Sequence, residues 1–244
     1  MIDNLEALGR ALPRMLEGLW MTLQLTAGGA LLAFAVAIGL GLLVRFDSIL
    51  VRGAARIIIE LFRGTSLLVQ LFFIFFVLPL PPMNIQLDPI WAGIIALGLN
   101  YGAYGAEVVR GSINAVPSGQ WEATTALSMS RAQRMRRVIF PQAWALMIPS
   151  LNNLLIQLLK GTAVVYLITI FDLTAALDKL RMDTDVFFAY SLGLLMYFAV
   201  AYALTLMMNA LEARAKHSLG QRKPLKEAIT SAPVPDAKGA GQFG

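Results

Sequence analysis

The sequence contains no cysteine and only one histidine, His217, among its 244 residues. Disulfides are therefore excluded, and cysteine usage says nothing about redox compartment. A single histidine in a polar tail reads as a solvated side chain, not as a base or a ligand. No GxxxxGK[ST] phosphate loop occurs, so the chain is not expected to hydrolyse ATP by itself. No metal-ligand cluster and no nucleophile–base pair is evident, and a non-catalytic protein without a cofactor is expected. Charge is scarce too. Charged residues make up 14% of the chain, against about 25% in soluble domains. With 57% hydrophobic residues and a mean hydropathy of +0.66, this is the composition of a membrane protein.

A helix needs roughly 20 apolar residues to cross the hydrocarbon core. Uncharged runs at 18–44, 64–87, 89–106, 138–159 and 186–211 predict about five spans in an all-α integral membrane domain covering 1–220. The fourth span runs through or just past Lys160, because 161–171 is uncharged again. The first run is too long for a signal-peptide core and reads as a retained span. Within residues 2–19, Ile2, Leu5, Leu8, Leu12, Met15, Leu16 and Leu19 recur at helical spacing. Two readings stay open: an interfacial amphipathic helix kinked near Pro13, or a plain lead-in to the first span. Pro79, Pro81, Pro82 and Pro89 mark a short loop. Residues 221–244, rich in Pro, Ala, Lys and Gly, read as a disordered tail. Gly98, Gly102 and Gly105 share one face of the third span, where they permit close helix approach.

Basic residues set the expected orientation. With residues 45–63, 107–137 and the tail from 212 placed inside, the inner segments carry 15 Lys and Arg. The outer segments 1–17, 79–90 and 172–185 carry 4. The N-terminus is thus expected outside and the C-terminus in the cytoplasm. The net charge of +5 reflects this topology and not nucleic-acid binding.

Residues 119–141, GQWEATTALSMSRAQRMRRVIFP, form a charged, helix-prone insert between two apolar segments. Ser118 is a candidate cap for a first helix, and Ser130 with Gln133 forms an S-x-x-Q capping box that starts a second. Ala123, Ala126 and Leu127 give the first helix a small apolar face. Arg131, Arg134, Arg136 and Arg137 load the second with positive charge, which suits inner-side topology and lipid headgroups. Pro141 is expected to stop it. A two-helix knob of this kind needs something to dock on, and a cytoplasmic partner is expected.

Ionisable groups within spans are costly and mark function or pairing. Lys160, followed by Gly161 and Thr162, suggests a broken helix on a solute path; a lysine that snorkels to the interface or pairs with a neighbouring carboxylate is the alternative. Asn100, Tyr104 and Glu107 fall at i, i+4 and i+7, so all three could face a polar cavity; a Glu107–Arg110 pair at the inner interface is the competing reading.

The insert resembles the EAA loop of ATP-binding-cassette importer permeases, in which E-A-A is followed by a glycine four residues on and a later I-x-L-P. Here the pattern reads Glu122, Ala123, Thr124, then Ser128, with Ile139, Phe140 and Pro141 at its end. ELFRGTSLLVQLFFIFFVLP (60–79), LNYGAYGAEVVRGSINAVPSGQWEA (99–123) and LLKGT (158–162) are similar to the polar-amino-acid, histidine/glutamine branch. The resemblance implies a MetI-like type I importer permease fold in the bacterial inner membrane. It implies pairing with an identical or paralogous permease, and two cytoplasmic ABC ATPases that bind the loop through Glu122, Ala123, Thr124, Leu127, Ser128, Ile139 and Pro141. It also implies an extracytoplasmic solute-binding protein that delivers a small polar solute. Three departures stand out. Thr124 replaces a second alanine, and Ser128 replaces a glycine and so loses positive φ at no cost. Lys160, Gly161, Thr162 and Ala163 stand where LKDTS often continues. The missing carboxylate leaves Lys160 free to meet a solute carboxylate, so zwitterionic or acidic solutes are expected to fit better than cationic ones; the expected solute is a polar amino acid or a similar small zwitterion of the ectoine kind.

Two other classes compete. An ATP-independent secondary transporter or channel would show ion dependence without an ATPase. A membrane scaffold would need no polar residues along its spans, and Lys160, Asn100 and Glu107 argue against it.

Overall fold

A computed structural model describes residues 2–218. Among them are nine α-helices and no strand: α1 (Ile2–Leu43), α2 (Ile49–Gly64), α3 (Leu67–Phe72), α4 (Pro89–Asn114), α5 (Ser118–Ala126), α6 (Arg131–Arg134), α7 (Phe140–Gly161), α8 (Leu173–Asp183) and α9 (Val186–Ser218). The expected tail, 221–244, lies outside the described residues.

Three helical stretches are long and apolar enough to cross a membrane on their own: Glu6–Leu43, Arg131–Ile168 and Val186–Ala215. The second expected span is a correction. The run at 64–87 forms no single helix; α3 and the π turn that follows it, Phe73–Val77, give only 11 helical residues, bent by 104° from α2. A gap at Thr65 and Ser66 separates α2 from α3, and Thr65 is extended at φ −118°, ψ 153°. An 11-residue helix reaches about 17 Å, short of the roughly 30 Å hydrocarbon core.

The packing of α1 on α4 nevertheless requires a crossing there. A Cβ on Gly98 would lie 2.6 Å from Leu32, on Gly102 2.7 Å from Val36 and on Gly105 2.7 Å from Ala37. Partners rise together along both chains, so α1 and α4 run parallel, with the glycine face of α4 letting the backbones meet. The chain leaves α1 at one end and enters α4 at the other, so 44–88 must return across the thickness of the bundle. Helix α4 has 26 residues, enough to span, although its glycines, Asn100 and two tyrosines lower its hydropathy. Helix α7 then runs antiparallel to α4: Ala143 and Met147 pack near Ile113 and Val116, while Gln157 meets Tyr101. Helix α9 closes the bundle beside α7.

The N-terminal segment is one uninterrupted helix with the first span, and Pro13 lies inside it. Met15 is buried with Leu173, Ala176, Leu177, Leu180 and Ala189, seating the early turns of α1 on α8 and α9. This matches the lead-in reading and not a separate interfacial helix. One end of the bundle therefore gathers the start of α1 and α8. The other gathers the α1–α2 turn and the 115–139 insert.

Candidate functional site

The insert is built from two short helices joined by a tight turn. Its second capping motif is formed as the spacing predicts: the Gln133 amide donates to Ser130 Oγ at 3.3 Å, and the Ser130 amide donates to Gln133 Oε1 at 3.0 Å. The first differs. Pro117 occupies the N-cap position of α5, and Ser118 lies inside the helix with no side-chain cap. Proline's fixed φ starts the helix where a hydroxyl was expected.

Helix α5 ends in a Schellman turn. The Ser128 amide donates to Thr125 O at 2.9 Å, and the Met129 amide to Thr124 O at 3.1 Å, with Ser128 left-handed at φ 52°. That geometry accounts physically for a glycine preference at this position, which Ser128 meets at a cost. Thr124 points inward and is buried, its hydroxyl donating to Trp121 O at 2.8 Å. Its extra polar atom is thereby satisfied inside the fold. Glu122, Ala123 and Ala126 face solvent, and Leu127 is 75% exposed. The apolar face of α5 is thus turned away from its own chain.

Pro141 does not stop the second helix. After α6, a π turn at Met135–Ile139 carries the chain directly into α7, with the Phe140 amide donating to Met135 O. Pro141 falls in the first turn of α7, where a missing N–H is tolerated. Ile139 is buried with Ala37, Val109 and Met147, which ties the insert to α1, α4 and α7.

Two contacts from the α1–α2 turn, invisible in the sequence, clamp the insert. Arg131 is ion-paired to Asp47. Arg45 bonds Asn114 Oδ1 and lies over the Trp121 ring at 5.5 Å. Burial, followed by the nearby Arg110 charge, lowers the Arg45 pKa from its usual value. Such pairs, 69 and 84 residues apart, leave no local signature.

The expected path residues are not brought together. Lys160 is exposed in the last turn of α7 and has no carboxylate partner among the described residues. The helix does break beside it, becoming 3₁₀ at Thr162–Ile168. Thr162 turns the other way, buried, and donates to Leu159 O at 2.7 Å. Asn100 and Tyr104 face the α2–α3 break and not a cavity. Asn100 Nδ2 donates to Phe62 O at 3.1 Å and Gln70 Oε1 at 3.2 Å. Gln70 Nε2 donates to the same Phe62 carbonyl at 2.8 Å, and Tyr104 Oη to Arg63 O at 3.2 Å. The carbonyls that α2 leaves orphaned at its end are satisfied from α3 and α4. Glu107 pairs with Arg110 at 2.6 Å, the competing reading. A cavity of about 1090 Å³ between α1, α7 and α9 is mostly apolar, and none of these five residues lines it. Tyr101, which does line it, donates to Gln157 O; neither Tyr101 nor Gln70 stands out in the sequence, since neither lies on the Asn100–Tyr104–Glu107 face or beside a charged residue. Among the described residues no three His, Asp or Glu side chains could hold a metal.

The binding-protein-dependent transport system inner membrane component family matches residues 29–217. The probable amino-acid ABC transporter permease protein y4tF of Sinorhizobium fredii is 44% identical over 230 residues, 91% of this chain and 92% of that one. The glutamine transport system permease protein GlnP of Escherichia coli K12 is 32% identical, over 86% of this chain and 96% of its own. A crystal structure of an amino acid ABC transporter with histidines is similar at TM-score 0.77 and 33% identity, covering 85% of this chain and 96% of that one. This chain therefore belongs to the family of inner membrane components of binding-protein-dependent transport systems.

Proposed function

We propose that this chain is one permease half of an importer for a polar, zwitterionic amino acid, with its N-terminus outside and its C-terminus in the cytoplasm. It pairs with an identical or paralogous permease, and two ABC ATPases carry out the hydrolysis. An extracytoplasmic binding protein supplies the solute. The carrying observation is the outward α5 face: Glu122, Ala123, Ala126 and Leu127 are exposed on a helix that closes in a Schellman turn and is held through Trp121 under Arg45, with the Asp47–Arg131 pair fixing the next helix, α6. A partner seated there moves Ile139 and α7 together. The amino-acid assignment rests on the names of the relatives, one of them a glutamine permease.

Lys160 is the residue proposed to meet the solute carboxylate, from its exposed place at the break of α7. Lys160→Met is expected to weaken transport affinity; unchanged affinity and rate would remove that role. The function itself is tested by ATP hydrolysis of the reconstituted complex, with binding protein and a panel of amino acids and ectoine-like zwitterions. Stimulation by one zwitterionic amino acid is expected. Ion-driven uptake in vesicles lacking any ATPase would contradict the reading.

A further inference from the structure

The outer segments hold only four basic residues, Arg10, Arg14, Lys179 and Arg181. Lysine and arginine are selected against on that side, so their placement is informative. Arg181 is neutralised by Asp178 at 2.9 Å. The other three line one cleft of about 490 Å³ between α1 and α8, with Asp183 as the single carboxylate and Phe171 in the wall. Arg10 and Arg14 are one helical turn apart and both exposed. None of the three cations is ion-paired among the described residues. The Lys179 ammonium is held over the Phe171 ring at 4.9 Å. Beneath the cleft, Met15, Leu173, Ala176 and Leu180 pack α1 against α8.

The length of α1 decides between lipid and protein as the occupant. Its 42 residues extend about 63 Å, whereas a bilayer with its headgroups is about 40–45 Å thick. Trp20 is exposed, as residues of an interfacial aromatic belt are. Along α1, which ends at Leu43, Arg14 and Arg10 stand about 44 and 50 Å from that end. Arg14 therefore reaches the outer headgroup boundary and Arg10 stands beyond it, so the cleft opens toward water.

We propose that this Arg10–Arg14–Lys179 cleft seats an acidic surface of the extracytoplasmic solute-binding protein. The inference rests on the importer reading and on its sidedness. Exposed charges at the edge of an interface act chiefly on encounter rate and salt dependence, so the cleft steers and orients the loaded binding protein over the permease.

The test uses the full complex of permease and ATPase in nanodiscs of zwitterionic phosphatidylcholine. ATP hydrolysis is titrated with the binding protein, saturated with whichever amino acid stimulates most. In the triple variant Arg10→Gln, Arg14→Gln, Lys179→Gln, the half-maximal binding-protein concentration is expected to rise on the order of tenfold at low salt. The difference should shrink as salt screens the charges. Arg181→Gln, outside the cleft, should leave that concentration unchanged. If the triple variant does not assemble, Lys179→Gln should show a smaller rise that Lys179→Arg restores. A wild-type value in an assembled variant overturns the proposal. So does a value that follows added phosphatidylglycerol and ignores the substitutions, which would assign the cleft to lipid headgroups. If the wild-type complex is not stimulated by the binding protein at all, the importer reading itself fails; a stimulated wild type with an indifferent variant removes only the docking cleft.

Discussion

Asn100 of α4 reaches the carbonyl of Phe62, 38 residues earlier, at 3.1 Å and is 5% exposed while doing so. The bond closes the end of α2 where the chain turns by 104° into α3. A backbone break inside a membrane domain is tolerated only where its freed groups find partners within the protein. Asn100, Gln70 and Tyr104 supply them.

Asn100→Leu should therefore destabilise the protein by about 1–3 kcal/mol, the cost of a buried polar group left unsatisfied. The thermal midpoint of the purified protein in detergent measures it. Gln70→Leu should cost a similar amount, and the double variant less than the sum, because the Asn100–Gln70 bond is already lost in either single variant. Strict additivity would show that the latch is not a unit.

Ser128→Gly should stabilise the insert by up to about 1 kcal/mol, because glycine adopts the left-handed conformation without a Cβ penalty. Ser128→Val should do the opposite, since a β-branched residue is least suited to positive φ. Thermal midpoints of the two variants check the order, and a Val variant as stable as the Gly variant would contradict the turn geometry.

Gly102→Leu should separate α1 from α4. A Cβ alone would lie 2.7 Å from Val36 and 3.1 Å from the Ala33 carbonyl, and the backbone there cannot give way cheaply. Overpacking of this kind costs about 1–3 kcal/mol or more. Gly53→Leu, with open space around its Cβ position, is the control and should fold normally. Expression and monodispersity of the two proteins distinguish them.

Glu122→Lys should leave the membrane fold intact while weakening capture of the ATPase, since Glu122 is exposed on α5 and has no bond to its own chain among those described. Complex yield on co-purification reads this directly, and an unaltered yield with unaltered transport would count against it.

Features set by short-range spacing were legible in the sequence. Ser130 and Gln133 are three residues apart and form their box; Gly98, Gly102 and Gly105 fall on the face that meets α1. Glu107 and Arg110 lie one turn apart and pair. Features set by long-range bonds were not. The break at Thr65 sits within an uncharged run that hydropathy reads as continuous, and its stabilising partners Gln70 and Asn100 follow 5 and 35 residues later. Asn100 and Tyr104 do share a face, but a face of polar groups fits a helix break as well as it fits a cavity. Pro141 misled because a π turn upstream shifts the bonding pattern and lets the proline fall in a first turn. Asp47 and Arg131, 84 residues apart, carry no pattern at all.

If α5 is the seat of the ATPase, the absence of native cysteine makes that seat directly addressable. Leu127→Cys and Thr124→Cys would each be introduced into the otherwise unaltered chain, and the assembled, ATP-hydrolysing complex treated with a short bifunctional thiol–amine crosslinker. A permease–ATPase product is expected from Leu127→Cys, which points outward, and little or none from Thr124→Cys, which is buried against its own chain. An assembled complex in which Leu127→Cys gives no ATPase product would contradict a seat on α5.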